Sequence, residues 1–98
     1  MSRGPGKTQR AALQTLEAAD RPLDTLAIAA TALGRNTITE AEASSYRRAL
    51  RRLADAGLIV DLGRHWRYGR RGYATPEAAE RYHQRVQQTF GKGQQVTP

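Results

Sequence analysis

Two runs of arginine carry most of the chemistry available to this sequence. In the first, Arg47, Arg48, Arg51 and Arg52 follow the paired hydroxyls of Ser44 and Ser45. The second sets Arg64, Arg67, Arg70 and Arg71 among His65, Trp66 and Tyr68. A guanidinium is always charged and presents a planar fork of donors that matches a phosphate or a guanine edge better than an ammonium does. Fourteen of the 16 basic residues are arginine, Lys7 and Lys92 being the exceptions. GC-rich coding would produce the same ratio, so position has to carry the argument. It does: from Ser44 to Gly72 eight arginines face only Asp55 and Asp61, a net +6 out of the chain's +7. Charge this concentrated points to a polyanionic partner, a phosphate backbone or an anionic surface.

Other chemistries lack their residues. With no cysteine there is no disulfide framework, thiolate metal site or thiol nucleophile. His65 and His83, the only histidines, are far apart in sequence. No Gly-x-Ser-x-Gly or paired-carboxylate arrangement occurs, and Gly4-Pro5-Gly6-Lys7-Thr8 lacks the first glycine and the spacing of a phosphate-binding loop. The expectation is a protein that is not an enzyme and uses no metal or cofactor. The most apolar stretch, Leu23 to Leu33, contains Asp24 and two threonines and is too short to span a bilayer. No apolar run follows Arg3 and Lys7, so neither a secretory signal nor a membrane partner is expected, and the cytoplasm is the expected location.

The 98 residues suffice for one domain, expected over residues 7–90 between a flexible arm (1–6) and a polar, disordered tail (91–98). A first helix starts near Lys7, with Ala12, Leu13, Leu16 and Ala19 at helical spacing, and stops before Arg21-Pro22. Leu23 then reads as a very short strand or extended link. Asp24 caps a second helix of about nine residues with an apolar stripe of Leu26, Ala29, Ala30 and Leu33, ended by Gly34. Thr39 and Glu42 form a capping-box pattern that opens a third helix from about Glu40 to Ala56. At 100° per residue its apolar side holds Ala43, Tyr46, Leu50, Leu53, Ala54 and Gly57, and its opposite side Ser44, Arg48, Arg51 and Asp55, flanked by Arg47 and Arg52. Leu58 to Leu62 and Tyr73 to Thr75 read as two strands of a hairpin around the second arginine cluster, with the turn near Gly63 or near Gly69. Thr75 and Pro76 start a last helix with an apolar stripe of Ala79, Tyr82 or His83, Val86 and Phe90, ending at Gly91.

The passage from Tyr46 through Ala56-Gly57-Leu58-Ile59, followed by Tyr73-Ala74-Thr75-Pro76-Glu77, resembles the recognition helix, wing and following helix of winged helix-turn-helix regulators of the MarR-like and PadR-like kind. The resemblance covers roughly Lys7 to Phe90. It implies a mainly α chain with a small β-hairpin (α+β), in the order helix, short strand, helix, helix, strand, wing, strand, helix. The extra long helices with which MarR proteins build a dimer and ligand pocket have no counterpart here. By that resemblance the chain is a small transcriptional regulator that binds double-stranded DNA sequence-specifically, found with the nucleoid when bound. The third helix would enter the major groove, with Ser44, Arg48 and Arg51 toward base edges and Ser45, Arg47 and Arg52 toward phosphates. The wing residues Arg64, His65, Arg67, Arg70 and Arg71 would lie on the backbone or in the minor groove. Tyr82, Val86 and Phe90 either form a homodimer stripe or pack internally, and Trp66 either lids the core or stacks on nucleic acid. Two other readings stand beside this one: a module that grips an acidic protein partner, and an architectural or replication-related DNA binder with little base readout.

Overall fold

Local signals place most of the elements. A computed structural model describes residues 6–67 and 70–96, without the side chains of 64–67 and 88–96. Helix α1 spans Lys7–Ala19 and is closed by Asp20, which takes the left-handed conformation (φ 54°) and donates its backbone N–H to Leu16 O. Strand β1 is only Leu23–Asp24. Helix α2, Thr25–Leu33, begins where the Asp24 side chain accepts the Ala27 N–H and ends at Gly34 with φ 72°. Helix α3 is Glu40–Asp55, followed by strands β2 (Val60–Arg67) and β3 (Arg70–Ala74) and helix α4 (Pro76–Val96). The result is an α+β fold of four helices and one three-stranded antiparallel sheet.

The sheet order is β1-β3-β2, so β3 is the central strand. Tyr73 lies opposite Leu23 on one side and Asp61 on the other, and Gly72 lies opposite Asp24 and Gly63. Arg67 pairs with Arg70, so the hairpin closes at its far end and not near Gly63. Gly63 instead sits at an irregularity of β2 with φ 81°, a conformation that glycine adopts without the steric cost of a Cβ. The basic segment expected as a loop is therefore largely strand, and Trp66 within β2 is a residue of high strand propensity.

Helices α1, α2 and α3 pack on one another around Leu16, Ile28, Leu50 and Leu53, all at least 98 % buried, with Leu23, Ile59 and Tyr73 closing the core from the sheet side. Helix α4 packs on β2 and β3 through Ala78 and Ala79, beside Ala74 and the flanking Val60 and Leu62. At its start Arg81 reaches back to the Asp20 carboxylate (2.5 Å) and the Asp20 carbonyl (3.1 Å).

Two expectations need correction. In α2 the buried residues are Ile28 and Ala29, while Leu26 and Leu33 are 46 % and 37 % exposed. A helix that is apolar nearly all round has no stripe that sequence can single out, and contact with α1, α3 and β1 decides the buried face. Helix α4 also passes Gly91, its expected end, and runs to Val96. A glycine inside a helix costs only about 1 kcal/mol relative to alanine, and no proline intervenes before Pro98.

The start of α3 is the most heavily bonded helix terminus among the described residues. Thr39 Oγ1 accepts the Glu42 N–H (3.1 Å), and Glu42 Oε1 accepts the Thr39 N–H (3.0 Å), completing the capping box. Arg35 grips both oxygens of the same carboxylate and donates to Thr37 O (2.8 Å), so the turn after α2 is tied to the first turn of α3. The Arg35 guanidinium first, and then the Thr39 N–H, hold the Glu42 carboxyl at about 2, against an ordinary 4.5.

Leu50→Ala should lower unfolding stability by about 2–5 kcal/mol, read from urea denaturation, because the side chain has no exposed surface and leaves a cavity at the junction of α3 with α1 and α2. For Glu42 the folded-state value lies below the unfolded one. The stabilisation is therefore complete above about 4.5 and is lost as pH falls through about 2. The stability difference between wild type and Glu42→Gln should narrow over that interval, and the Glu42 carboxyl should titrate near 2 by NMR. A midpoint in the ordinary glutamate range would show that the Arg35 pair does not form.

Candidate functional site

Helical geometry divides the polar side of α3 into three sectors. Ser44, Arg48, Arg51 and Asp55 share the centre of the outward face, Arg47 and Ala54 are rotated toward one flank, and Ser45 and Arg52 toward the other. The first flank faces the sheet. Between it and the strands lies a groove of about 660 Å³, lined on the helix side by Ser44, Arg47, Arg48, Arg51, Ala54 and Asp55. Asp24, Thr25 and Leu26 from the β1–α2 junction, and Asp61, Arg70, Arg71 and Tyr73 from the hairpin, form the opposite wall.

This arrangement brings most of the expected residues together and separates two. Arg47, Arg48 and Arg51 from α3 share the groove with Arg70 and Arg71, more than 18 residues away in sequence. Ser45 lines a different concavity of about 390 Å³ with Lys7 and Thr8 of α1, Leu33 of α2 and Tyr46. Arg52 is exposed and lines neither hollow. Arg64, His65 and Arg67 belong to β2, and their side chains, with that of Trp66, lie outside the described residues. On α4, Tyr82 and Val86 are half-buried and His83 is exposed, which makes Tyr82 the inward-turned residue of that pair. The Phe90 side chain lies outside the described residues, as does Tyr68 altogether.

The two walls of the groove differ electrostatically. Arg47 makes a 3.4 Å hydrogen bond to Ser44 Oγ, while Arg48 and Arg51 have neither a hydrogen bond nor an ion pair among the described residues. Across from them Arg71 donates to Asp61 Oδ2 at 2.7 Å, and Arg70 to Asp24 Oδ2 at 3.1 Å. One wall thus sets three arginines against the single carboxylate of Asp55, and the other pairs each arginine with its own aspartate. Tyr73, 3 % exposed, lines the groove between them. Burial, and secondarily the Asp61 carboxylate, push its phenol above the ordinary range, against the opposing pull of Arg71, Arg51 and Arg47. The hydroxyl therefore remains a neutral donor at physiological pH.

Sequence reasoning passed over Asp24, Asp61 and Tyr73 as members of this site. Asp24 signals its presence as a helix cap and nothing local links it to Arg70, 46 positions on. The Asp61–Arg71 pair, ten positions apart, becomes legible only once the hairpin register is known. The groove offers forked donors and hydroxyls, and it holds no nucleophile paired with a base. Among the described residues no group of three His, Cys, Asp or Glu side chains could hold a metal ion, and no helix is long and apolar enough to cross a membrane. No protein-family model matches the chain, and neither curated proteins nor solved structures give a match.

Proposed function

We propose that this chain is a winged helix-turn-helix protein that binds double-stranded DNA sequence-specifically as a small transcriptional regulator. The observation that carries the reading is the exposed face of α3, on which Arg48 and Arg51 stand without a carboxylate partner among the described residues, beside a groove that also receives Arg47, Arg70 and Arg71. An α-helix fits the B-DNA major groove, and a forked guanidinium that meets a guanine discriminates by about 1–3 kcal/mol. The element order, with α3 followed by a β-hairpin, and the +7 charge agree with this docking mode. In it, Ser44, Arg48 and Arg51 read bases, and Arg47 and the hairpin arginines contact the backbone. Arg52, on the far flank of α3, serves a phosphate on the other side of the groove. One such helix reads only a few base pairs, so a homodimer is part of the proposal, with the Tyr82, Val86 and Phe90 stripe of α4 joining two copies.

The carboxylates of Asp24, Asp55 and Asp61 inside the groove favour one competing reading, a module that grips a protein partner of mixed charge. Retention on heparin and on bulk duplex DNA separates the two, because a surface matched to one protein binds both weakly.

The expected result is duplex binding that weakens steeply with salt. In Arg48→Ala/Arg51→Ala, preference for a selected site over a scrambled one should fall by roughly tenfold or more while most of the salt slope remains, measured by fluorescence anisotropy. Absence of binding to any duplex at moderate salt would overturn the reading.

A further inference from the structure

We propose that Asp24 and Asp61 set the affinity and selectivity of the groove by serving Arg70 and Arg71 as internal counterions that DNA phosphates must displace, an inference that rests on the DNA-binding reading above. Each aspartate divides its two oxygens in the same way. Asp24 Oδ1 accepts the Ala27 N–H at 2.8 Å and Oδ2 holds Arg70 at 3.1 Å. Asp61 Oδ1 accepts the Gly63 N–H at 2.8 Å and Oδ2 holds Arg71 at 2.7 Å. The carboxylates are therefore pinned by the backbone, Asp24 to the start of α2 and Asp61 to the irregularity in β2. The guanidinium ends are the movable partners, with Arg70 and Arg71 side chains 60 % and 44 % exposed.

Ion pairs whose guanidinium ends are this exposed are weak, so a phosphate arriving at either arginine meets a nearly balanced exchange. A lone anion gains little from it. A DNA backbone already held by Arg47, Arg48 and Arg51 on the opposite wall brings its next phosphate at high local concentration, and the exchange proceeds. The displaced carboxylate stays in place, where it either takes up a cation or repels a phosphate that is out of register. A duplex docked in the wrong register faces two carboxylates and gains neither arginine. The same two residues thus lower affinity for every duplex and penalise the wrong one more.

Asp24→Asn and Asp61→Asn test this, since asparagine keeps the oxygen that accepts the backbone N–H and removes only the charge. With the full chain, a selected duplex and a scrambled one, and salt from about 50 to about 300 mM, each variant should bind both duplexes about two- to fivefold more tightly than wild type. The gain should be larger on the scrambled duplex. In wild type each exchange leaves a carboxylate that recaptures a cation, so each substitution should also steepen the slope of log K against log salt by up to about 0.9. A purely structural role for the aspartates would not move that slope. Wild type that binds duplex while both variants bind unchanged or more weakly, with the same slope, would overturn the proposal and leave the DNA-binding reading standing. No duplex binding by wild type would overturn both. Should either variant fold poorly by circular dichroism, the wild-type chain decides alone. The side-chain carboxyl ¹³C shifts of Asp24 and Asp61 must move when duplex is added to saturation, and unmoved shifts would overturn the exchange.

Discussion

The pairing of two residues, Leu23 and Asp24, with the central strand of the sheet is the constraint on which the rest of this molecule depends. Without it the hairpin would keep its contacts with α2 and α3, the core packing of Ile59 and Tyr73, and the Arg81–Asp20 link through α4, and would lose its backbone ladder to the helical part. With it, the start of α2 lies beside Gly72 and Tyr73, and Asp24 serves three elements at once: strand partner, helix cap and anchor for Arg70. The groove exists because that junction forms part of the wall facing α3. Pro22, just before the strand, disfavours helix at Arg21 and cannot itself continue the ladder of α1, so the chain leaves the helix before the pairing begins.

Held by that frame, α3 owes its orientation to apolar residues on one side and to a charged knot at its start. Tyr46, Ala49, Leu50 and Leu53 bury one face, which obliges the arginines to point outward. The Arg35–Glu42–Thr39 arrangement fixes where the helix begins, and with it the angular position of every later residue. A shift of one residue at the cap would rotate the exposed face by 100° and send Arg48 or Arg51 to a flank. The polar contacts at residues 35–42 and the surface at residues 44–55 are thus parts of one positioning device.

How far the sequence revealed this follows from how local each cause is. Caps at Asp24 and Thr39, the stop at Gly34 and the polarised pattern of α3 act within a few residues and could be read directly. The buried face of α2, the closure of the hairpin at Arg67 and Arg70, and the extent of α4 are decided by packing or by the whole length of an element, and periodicity does not reach them. At the site, the arginines were visible as a charge concentration, while their division into open and neutralised sets was not. That division depends on Asp24 and Asp61, whose partners are assigned only by strand register. Ser45 and Arg52 resemble their neighbours in sequence and differ only in the flank of the helix on which they fall.

The irregular register of the hairpin has a bearing on how the chain keeps to itself. From the Asp61–Tyr73 pair to the Arg67–Arg70 pair, β2 advances six residues while β3 advances three. At about 3.3 Å per residue, β2 has roughly 10 Å of contour that a flat ladder cannot absorb. That strand is one margin of the sheet, and the other margin is only two residues long. An incoming strand that tried to extend the sheet would find one side too short to template it and the other bent out of register. The sheet is thereby terminated at both sides, which guards a small, arginine-rich chain against stacking into fibrils through its own backbone.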